Sequence, residues 1–306
     1  MTTTSRLHVR HDTHYAHPVP VELAQHVAFL RPRETEHQRL ERWHLAIDPL
    51  PDGWGGRQDG AQQAHQHLTE DAWGNARLVF GHSRVHRELS VCSEFVVQVV
   101  PHASIDPAVG QAWEQVAGLL QYRAGRVQAA EAEFSLASPY AAPDAQLAAF
   151  AREAFAPGLT LAAGALALNA LVHRRMRYET QSTAVHTTAA EALSGGRGVC
   201  QDFAQIAIAA CRSLGLAARY VSGYLLTEPP PGQPRLQGAD ASHAWFEVWC
   251  PVQGWLALDP TNDLAVNQQH ALLAWGRDQA DVAPLRGVIR GGGASEPEVA
   301  VTVTQA

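Results

Sequence analysis

The chain of 306 residues contains no lysine, so all 23 of its basic residues are arginines. Without an ε-amine, the protein has no lysine that could act as a nucleophile, form a Schiff base or accept a crosslink to itself. The net charge is −7 with histidine neutral, and no basic block occurs. Nucleic acid and membranes are therefore not expected partners, which leaves small or peptidic ligands.

Long apolar runs and paired cysteines are missing as well. The start of the chain lacks the pattern of a signal peptide, and no run of about 18 or more apolar residues is present to span a bilayer. The four cysteines show neither metal nor disulfide spacing: Cys92, Cys200, Cys211 and Cys250. We therefore expect a cytoplasmic protein with free thiols, no cofactor and no bound metal.

Histidines do recur every three residues near the N-terminus, at His8, His11, His14 and His17. Residues three apart in a strand alternate between its two faces, and Pro18 disfavours a helix that would bring them together. This run of histidines therefore predicts no metal site.

The order of the sequence patterns predicts an α+β protein. Short extended segments separated by Pro, Asp and Gly predict an antiparallel, sandwich-like β domain over residues 1–105. Helical periodicity then indicates a helical connection over residues 106–158 and a catalytic core over residues 159–290. Residues 291–306 form a tail in which EPEVAVTVT predicts a last strand.

The segment GGRGVCQD, residues 195–202, places a cysteine after three glycines and before a helical pattern. The apolar stripe of the predicted helix consists of Phe203, Ile206, Ala207, Ala210, Cys211 and Leu214. Cys200 thus lies in the first turn, where free N–H groups and the helix dipole stabilise a thiolate. The glycines would let a substrate backbone approach the sulfur. A buried cysteine beside an ordinary turn is the alternative interpretation.

A thiolate enzyme also needs an imidazole to carry the proton and an acceptor to orient that imidazole. His243 and Asp259 lie on two successive predicted strands, SHAWFEVW and GWLALD, joined by a short turn. If the numbers of paired residues sum to 502 or 504, the two side chains share a face and come within reach. If the numbers of paired residues added up to an odd sum, the side chains of His243 and Asp259 would lie on opposite faces of the hairpin. The sequence thus predicts a triad of Cys200, His243 and Asp259.

The same segments carry a family resemblance. GGRGVCQDFAQ, ARYVSGYL and ASHAWFEVWCPVQGWLALDPTND are similar to the bacterial transglutaminase-like family over about Leu159 to Val288. LHVRHDTHY resembles the β-rich domain that usually precedes this core. The resemblance implies a papain-like core with Cys200 as nucleophile, His243 as general base and acid, and Asp259 as the residue that orients His243.

The resemblance also implies acyl transfer through a thioester, and it leaves the acyl acceptor open. Water as acceptor would give a cysteine peptidase or amidase, a hydrolase, which is the function predicted here. An amine would give a transglutaminase, and a binding module with a relic triad is a third alternative. The expected partner is a peptide, protein or small amide substrate, and no oligomeric state is predicted. Trp245 either packs in the core or binds substrate in the groove.

Iodoacetamide at mildly acidic pH is expected to label Cys200 well before Cys92, Cys211 and Cys250. An ion-paired thiolate stays nucleophilic at a pH where ordinary thiols are protonated. Mass spectrometry of the digested, labelled protein measures the four rates. Equal labelling of the four thiols in the folded protein would count against activation of Cys200.

Overall fold

The computed structural model describes residues 4–54, 64–125, 129–184, 186–227 and 242–306. Its strands form a seven-stranded and a five-stranded antiparallel sheet, with a short parallel bridge between two further strands. The helices pack mainly against the smaller sheet. The α+β class predicted from the sequence is confirmed.

The strands are β1 (Ser5–Ala28), β2 (Gln38–Asp48), β3 (Leu68–Glu70), β4 (Ala76–His82), β5 (His86–Val99), β6 (Arg177–Tyr178), β7 (Arg197–Gly198), β8 (Ala218–Leu225), β9 (Ser242–Cys250), β10 (Gly254–Asp259), β11 (Leu264–Ala265), β12 (His270–Gly276), β13 (Leu285–Gly291) and β14 (Glu298–Gln305). The helices are α1 (Trp113–Leu120), α2 (Ala145–Arg152), α3 (Leu161–Arg175), α4 (Ala189–Gly195), α5 (Cys200–Ser213) and α6 (Gln279–Val282), and a 3-10 helix covers Ala130–Ser135. None of the described helices is both long and apolar enough to cross a membrane.

Strand β1 lies in the middle of the larger sheet and has partners along both edges. One edge pairs with β4 and then β5, and the other pairs with β13 and then β14. Pairing to β5 shifts between Ala16 and Val21, where Pro18 and Pro20 offer no N–H to the ladder. These pairings join the strands of this domain into one curled antiparallel sheet. The predicted last strand is present as β14, and β13 joins the same sheet.

Helix α5 is the central helix of the second layer. It packs on β8 and β9, and the helices α2, α3 and α4 also contact it. Every residue from Asp202 to Arg212 is buried. A helix surrounded in this way needs apolar or small side chains on every face, which the alanines of this segment supply. The apolar stripe predicted from the sequence is therefore only one of several buried faces of this helix.

The smaller sheet has the strand order β11-β10-β9-β8-β12. In the β9–β10 hairpin the numbers of paired residues sum to 504, as for Phe246 opposite Leu258. This is one of the two registers that place His243 and Asp259 on the same face. Phe246 and its alternate neighbours point to the other face and pack against the helices.

Two amide side chains fasten the larger sheet to β12, an edge strand of the smaller sheet. Gln38 Nε2 donates to Leu272 O at 2.7 Å, and Gln38 Oε1 accepts from Leu272 N at 2.8 Å. Asn75 pairs with Trp275 in the same way, through bonds of 2.7 and 3.0 Å. Both amides are buried. They take the place of a further strand at this edge and so fix the position of β12.

Replacing Gln38 with leucine, which has a similar volume, is expected to lower the free energy of unfolding by about 2 kcal/mol. The change leaves the N–H and C=O groups of Leu272 without their partner. Gln98→Leu on the exposed side of β5 is the control, with an expected effect within about 0.5 kcal/mol. Denaturant unfolding measures both, and equal losses would show that the amide does not fasten the two sheets.

Candidate active site

Cys200 is the first residue of α5, as the sequence predicts, and its thiol is partly buried. The sulfur lies 3.8 Å from the carbonyl oxygen of Ser242, the first residue of β9. The N-cap residue Val199 has no polar side chain to accept from the first turn. The amide dipoles of that turn therefore act on the sulfur, where they favour negative charge.

The parallel bridge between β6 and β7 holds the backbone that leads into α5. Arg177 N donates to Gly196 O and Glu179 N donates to Gly198 O, both at 2.9 Å. Tyr178 lies between these two bonds, and its side chain lines the same cavity as the sulfur. The bridge thus brings a phenol from an earlier segment to the start of the helix.

Two of the glycines before α5 have a structural reason of their own, besides the predicted approach of a substrate to the sulfur. Gly196 ends α4 with a φ of 65°, a conformation that favours glycine. A Cβ on Gly198 would lie 2.6 Å from Oδ2 of Asp202. That carboxylate accepts from Val199 N at 2.8 Å and from Thr183 Oγ1 at 2.7 Å. Asp202 therefore has a structural role at the start of the helix, and Gly198 leaves room for its carboxylate.

His243 and Asp259 make the predicted contact across the β9–β10 hairpin. His243 Nε2 lies 2.7 Å from Asp259 Oδ2, and the carboxylate is fully buried. A carboxylate oxygen accepts, so the proton of this bond sits on Nε2. The other ring nitrogen, Nδ1, is left to interact with Cys200, which lines the same cavity and raises the pKa of the imidazole. The structure thus brings all three predicted triad residues together.

The ionised forms of the imidazole and the carboxyl stabilise each other. Burial lowers the pKa of His243, but hydrogen bonds to Asp259 and Cys200 outweigh it and raise the pKa to about 10. Burial likewise raises the pKa of Asp259, and hydrogen bonds from His243, His270 and Asn262 bring it well below its usual value. At neutral pH these interactions favour an imidazolium beside the sulfur, the arrangement that stabilises a thiolate.

Asp259 accepts further hydrogen bonds from groups that the sequence did not identify as part of the site. Oδ1 accepts from Thr261 N at 3.0 Å and from Asn262 N at 3.2 Å. Oδ2 accepts from Asn262 Nδ2 at 2.8 Å and from His270 Nε2 at 3.2 Å. Asn262 follows the aspartate by three residues in a turn, a pattern that indicates such a bond. His270 is brought near only by the pairing of β12 with β8, which no local pattern predicts.

The same group of side chains has the spacing of a metal site. One ligand atom each from His243, Asp259 and His270 lies within 4.8 Å of the other two, the only such group among the described residues. Hydrogen bonds of both rings to one carboxylate oxygen account for this spacing. The group therefore requires no metal to explain its geometry.

A cavity of about 290 Å³ opens beside Cys200. Apart from Cys200 and His243, its lining is uncharged and consists of Tyr178, Thr180, Val199, Gln201, Tyr220, Ser222, Ser242, Ala244, Gln279 and Pro284. Burial and the nearby charge of Cys200 raise the pKa of Tyr178, so its hydroxyl stays protonated. Tyr178 and Thr180 belong to the segment before Gly195 and bring two hydroxyl groups to this cavity.

Trp245 does not line this cavity, which favours the first of its two predicted roles, that of a core residue. It is only 1 % exposed, and its ring lies over β8, where a Cβ on Gly223 would be 2.5 Å from the indole. The indole packs edge-to-face on His270, with ring centroids 5.4 Å apart. It lines a separate cavity of about 490 Å³ together with Trp255 and Trp275. Trp245 is therefore a core residue that supports His270.

Models of protein families and solved structures agree with this architecture. Residues 148–260 match the core of the transglutaminase-like superfamily, and residues 7–98 match the bacterial transglutaminase-like N-terminal region. The crystal structure of a candidate cysteine protease from Cytophaga hutchinsonii is similar with a TM-score of 0.71 and 20% sequence identity. The match covers 99% of this chain and 91% of that chain, and it shows a shared fold.

Curated relatives extend the similarity over nearly the whole chain. An uncharacterized protein of Mycobacterium tuberculosis is 38% identical over 298 residues, which are 94% of this chain and 89% of that protein. One of Mycobacterium leprae is 30% identical over 306 residues, 98% and 99% of the two chains. A protein-glutamine gamma-glutamyltransferase of Pseudomonas aeruginosa is 41% identical over 69 residues, 22% and 10% of the two. The chain belongs to the transglutaminase-like superfamily.

Replacing Cys200 with alanine is expected to lower the pKa of His243 from about 10. The change removes a hydrogen bond and a neighbouring charge that raise the pKa. NMR titration of the His243 ring measures the shift, with Cys92→Ala as the control. A pKa of His243 that does not change in Cys200→Ala would contradict the contact between ring and sulfur.

The raised pKa of His243 also predicts how the free energy of unfolding depends on pH. A histidine pKa raised on folding adds stability that is complete below about 6.5 and is lost as the pH rises toward 10. Cys200→Ala, which lacks a thiol that titrates together with the ring, shows this dependence by itself, so its free energy of unfolding should fall as the pH rises above about 6.5. Denaturant unfolding at a series of pH values measures the fall, and a constant free energy would show that Asp259 does not raise the pKa of His243.

Proposed function

We propose that this protein is a thiol-dependent acyl-transfer enzyme for peptide or amide substrates and that its main reaction is hydrolysis. The observation that carries the proposal is a partly buried sulfur at a helix start, on the same cavity as an imidazole that a buried carboxylate holds. Cys200 is the proposed nucleophile, His243 the proposed general base and acid, and Asp259 the residue that orients His243.

In the proposed reaction the Cys200 thiolate attacks the carbonyl carbon of the substrate and forms a C–S bond. The C–N bond then breaks, and His243 gives its Nδ1 proton to the leaving amine. Water attacks the resulting thioester and gives a proton back to His243, and the C–S bond breaks to release the acid and the thiolate. Asp259 stays ionised throughout and keeps Nδ1 directed at the reacting atoms.

The oxyanion of the tetrahedral intermediate needs hydrogen-bond donors that are already in place. We propose the backbone N–H of Cys200 as the first donor, because it belongs to the first turn of α5. The hydroxyl of Tyr178 is the proposed second donor. The β6–β7 bridge holds it at the cavity, and its raised pKa keeps the proton that the donor must supply.

The lining of the cavity favours water over a protein amine as the acceptor. None of the described residues that line it carries a carboxylate to hold the ammonium group of a lysine-type acceptor. Transamidation is the alternative, motivated by the Pseudomonas aeruginosa relative, whose similarity covers 22% of this chain. A binding module with a relic triad is the third candidate, and the hydrogen bond that orients His243 toward Asp259 speaks against it.

We also propose that the protein acts in a reducing compartment, the cytoplasm. All four of its cysteines are free thiols. Oxidation of Cys200 would remove the proposed nucleophile, so a reducing environment suits the reaction.

Cys200→Ala is expected to lose at least about 10³-fold in turnover while its melting temperature stays near that of the wild type. The assay offers a library of peptide amides, including glutamine peptides, together with a fluorescent primary amine, and separates acid products from amine conjugates by mass spectrometry. Cys92→Ala should keep full activity. Amine conjugates as the main product would select transamidation. Equal turnover by wild type and Cys200→Ala would remove the enzymatic proposal.

A further inference from the structure

A second imidazole reaches the carboxylate that orients His243. His270 begins β12, its side chain is fully buried, and its Nε2 lies 3.2 Å from Oδ2 of Asp259. His243 Nε2 lies 2.7 Å from the same oxygen, and the two ring centroids are 6.0 Å apart. His270 thus contacts the same carboxylate oxygen as the proposed general base, and the triad alone gives it no role.

The surroundings of His270 determine which of its ring nitrogens carries a proton. A carboxylate oxygen only accepts, so Nε2 carries the proton that it donates to Asp259. On the other side of the ring, the backbone N–H of Asn267 donates to Nδ1 at 3.3 Å. The side-chain oxygen of Asn267, also 3.3 Å from Nδ1, already accepts from the N–H of Gln269 at 2.9 Å. Nδ1 therefore keeps its lone pair, and the ring is neutral with its proton on Nε2.

The charges around Asp259 agree with a neutral His270. Two imidazolium rings buried beside one carboxylate at this distance would repel each other, so only one of them is expected to be charged. Although burial lowers the pKa of His243, Asp259 and Cys200 raise it to about 10. His270 does not line the cavity of the sulfur. The positive charge therefore belongs to His243, and His270 supplies a neutral N–H.

Packing holds the His270 ring in this orientation. The indole of Trp245 packs edge-to-face on the ring, and the backbone of His270 pairs with Leu225 of β8. His270 also lines the separate cavity of about 490 Å³, which Asp259 does not line. The ring therefore lies between that cavity and the carboxylate, where it donates a hydrogen bond and shields the charge of Asp259 from the cavity.

We propose that His270 is a positioning residue that acts on the sulfur through Asp259, with a neutral Nε2–H that holds Oδ2 toward His243. Burial raises the pKa of Asp259, and the hydrogen bond from His270 is one of those that lower it. When His243 gives a proton to the leaving amine, its positive charge no longer balances the carboxylate, and His270 still donates to Oδ2. This last step rests on the proposed function, whereas the tautomer of His270 does not.

The pH dependence of iodoacetamide labelling at Cys200, measured by mass spectrometry, tests this role. His270→Leu removes the donor, so Asp259 takes up a proton more easily. The pH at which the labelling rate falls to half should then rise by at least about 0.5 pH units. His270→Gln places an amide N–H near the position of Nε2 and should restore most of this shift. Leu45→Ala, a buried change in the larger sheet, controls for lost stability and should leave the profile unchanged.

NMR of the ring nitrogens in Cys200→Ala gives a second readout, which requires neither the sulfur nor a folded variant of His270. The His270 ring should be neutral at neutral pH, with its proton on Nε2. A charged ring, or a proton on Nδ1 alone, would overturn the proposal. Profiles of wild type and His270→Leu that coincide and stay high at mildly acidic pH would also overturn it, and they would leave the proposed function standing. Coincident profiles like that of an ordinary thiol would remove both.

Discussion

A fully buried carboxylate, that of Asp259, organises the site. It stays ionised because donors from His243, Asn262, His270 and Thr261 converge on its two oxygens. A buried carboxyl without such partners would take up a proton instead. The same bonds hold the His243 ring with Nε2 toward Asp259 and Nδ1 toward the sulfur. Buried hydrogen bonds therefore decide which nitrogen of the ring faces the reacting atoms.

The larger sheet takes part in the site through its hold on β12. No described residue before Tyr178 lines the cavity beside Cys200. Gln38 and Asn75 nevertheless fix the strand that His270 begins, and His270 holds Asp259. Loosening the contact between the two sheets would therefore disturb the triad by moving the ring of His270 away from Asp259.

The sequence predicted the features that depend on local periodicity. The start of α5 at Cys200 followed from the glycines and the apolar stripe, and the shared face of His243 and Asp259 followed from strand alternation. Features that depend on tertiary packing were missed. The role of His270 requires the return of β12 beside β8, and the need for Gly198 arises from a carboxylate that folds back from the helix. The pairing of β13 with β1 joins segments that are far apart in the chain, which no local pattern reveals.

The most direct test of the role of Asp259 is the pH dependence of alkylation at Cys200 in the wild type and in Asp259→Asn. Because the carboxylate sustains the imidazolium beside the sulfur, the wild-type rate should stay high at mildly acidic pH. In Asp259→Asn the rate should fall with decreasing pH, as for an ordinary thiol with a pKa of about 8.5. Superimposable profiles for two equally folded proteins would show that the buried carboxylate does not control the sulfur.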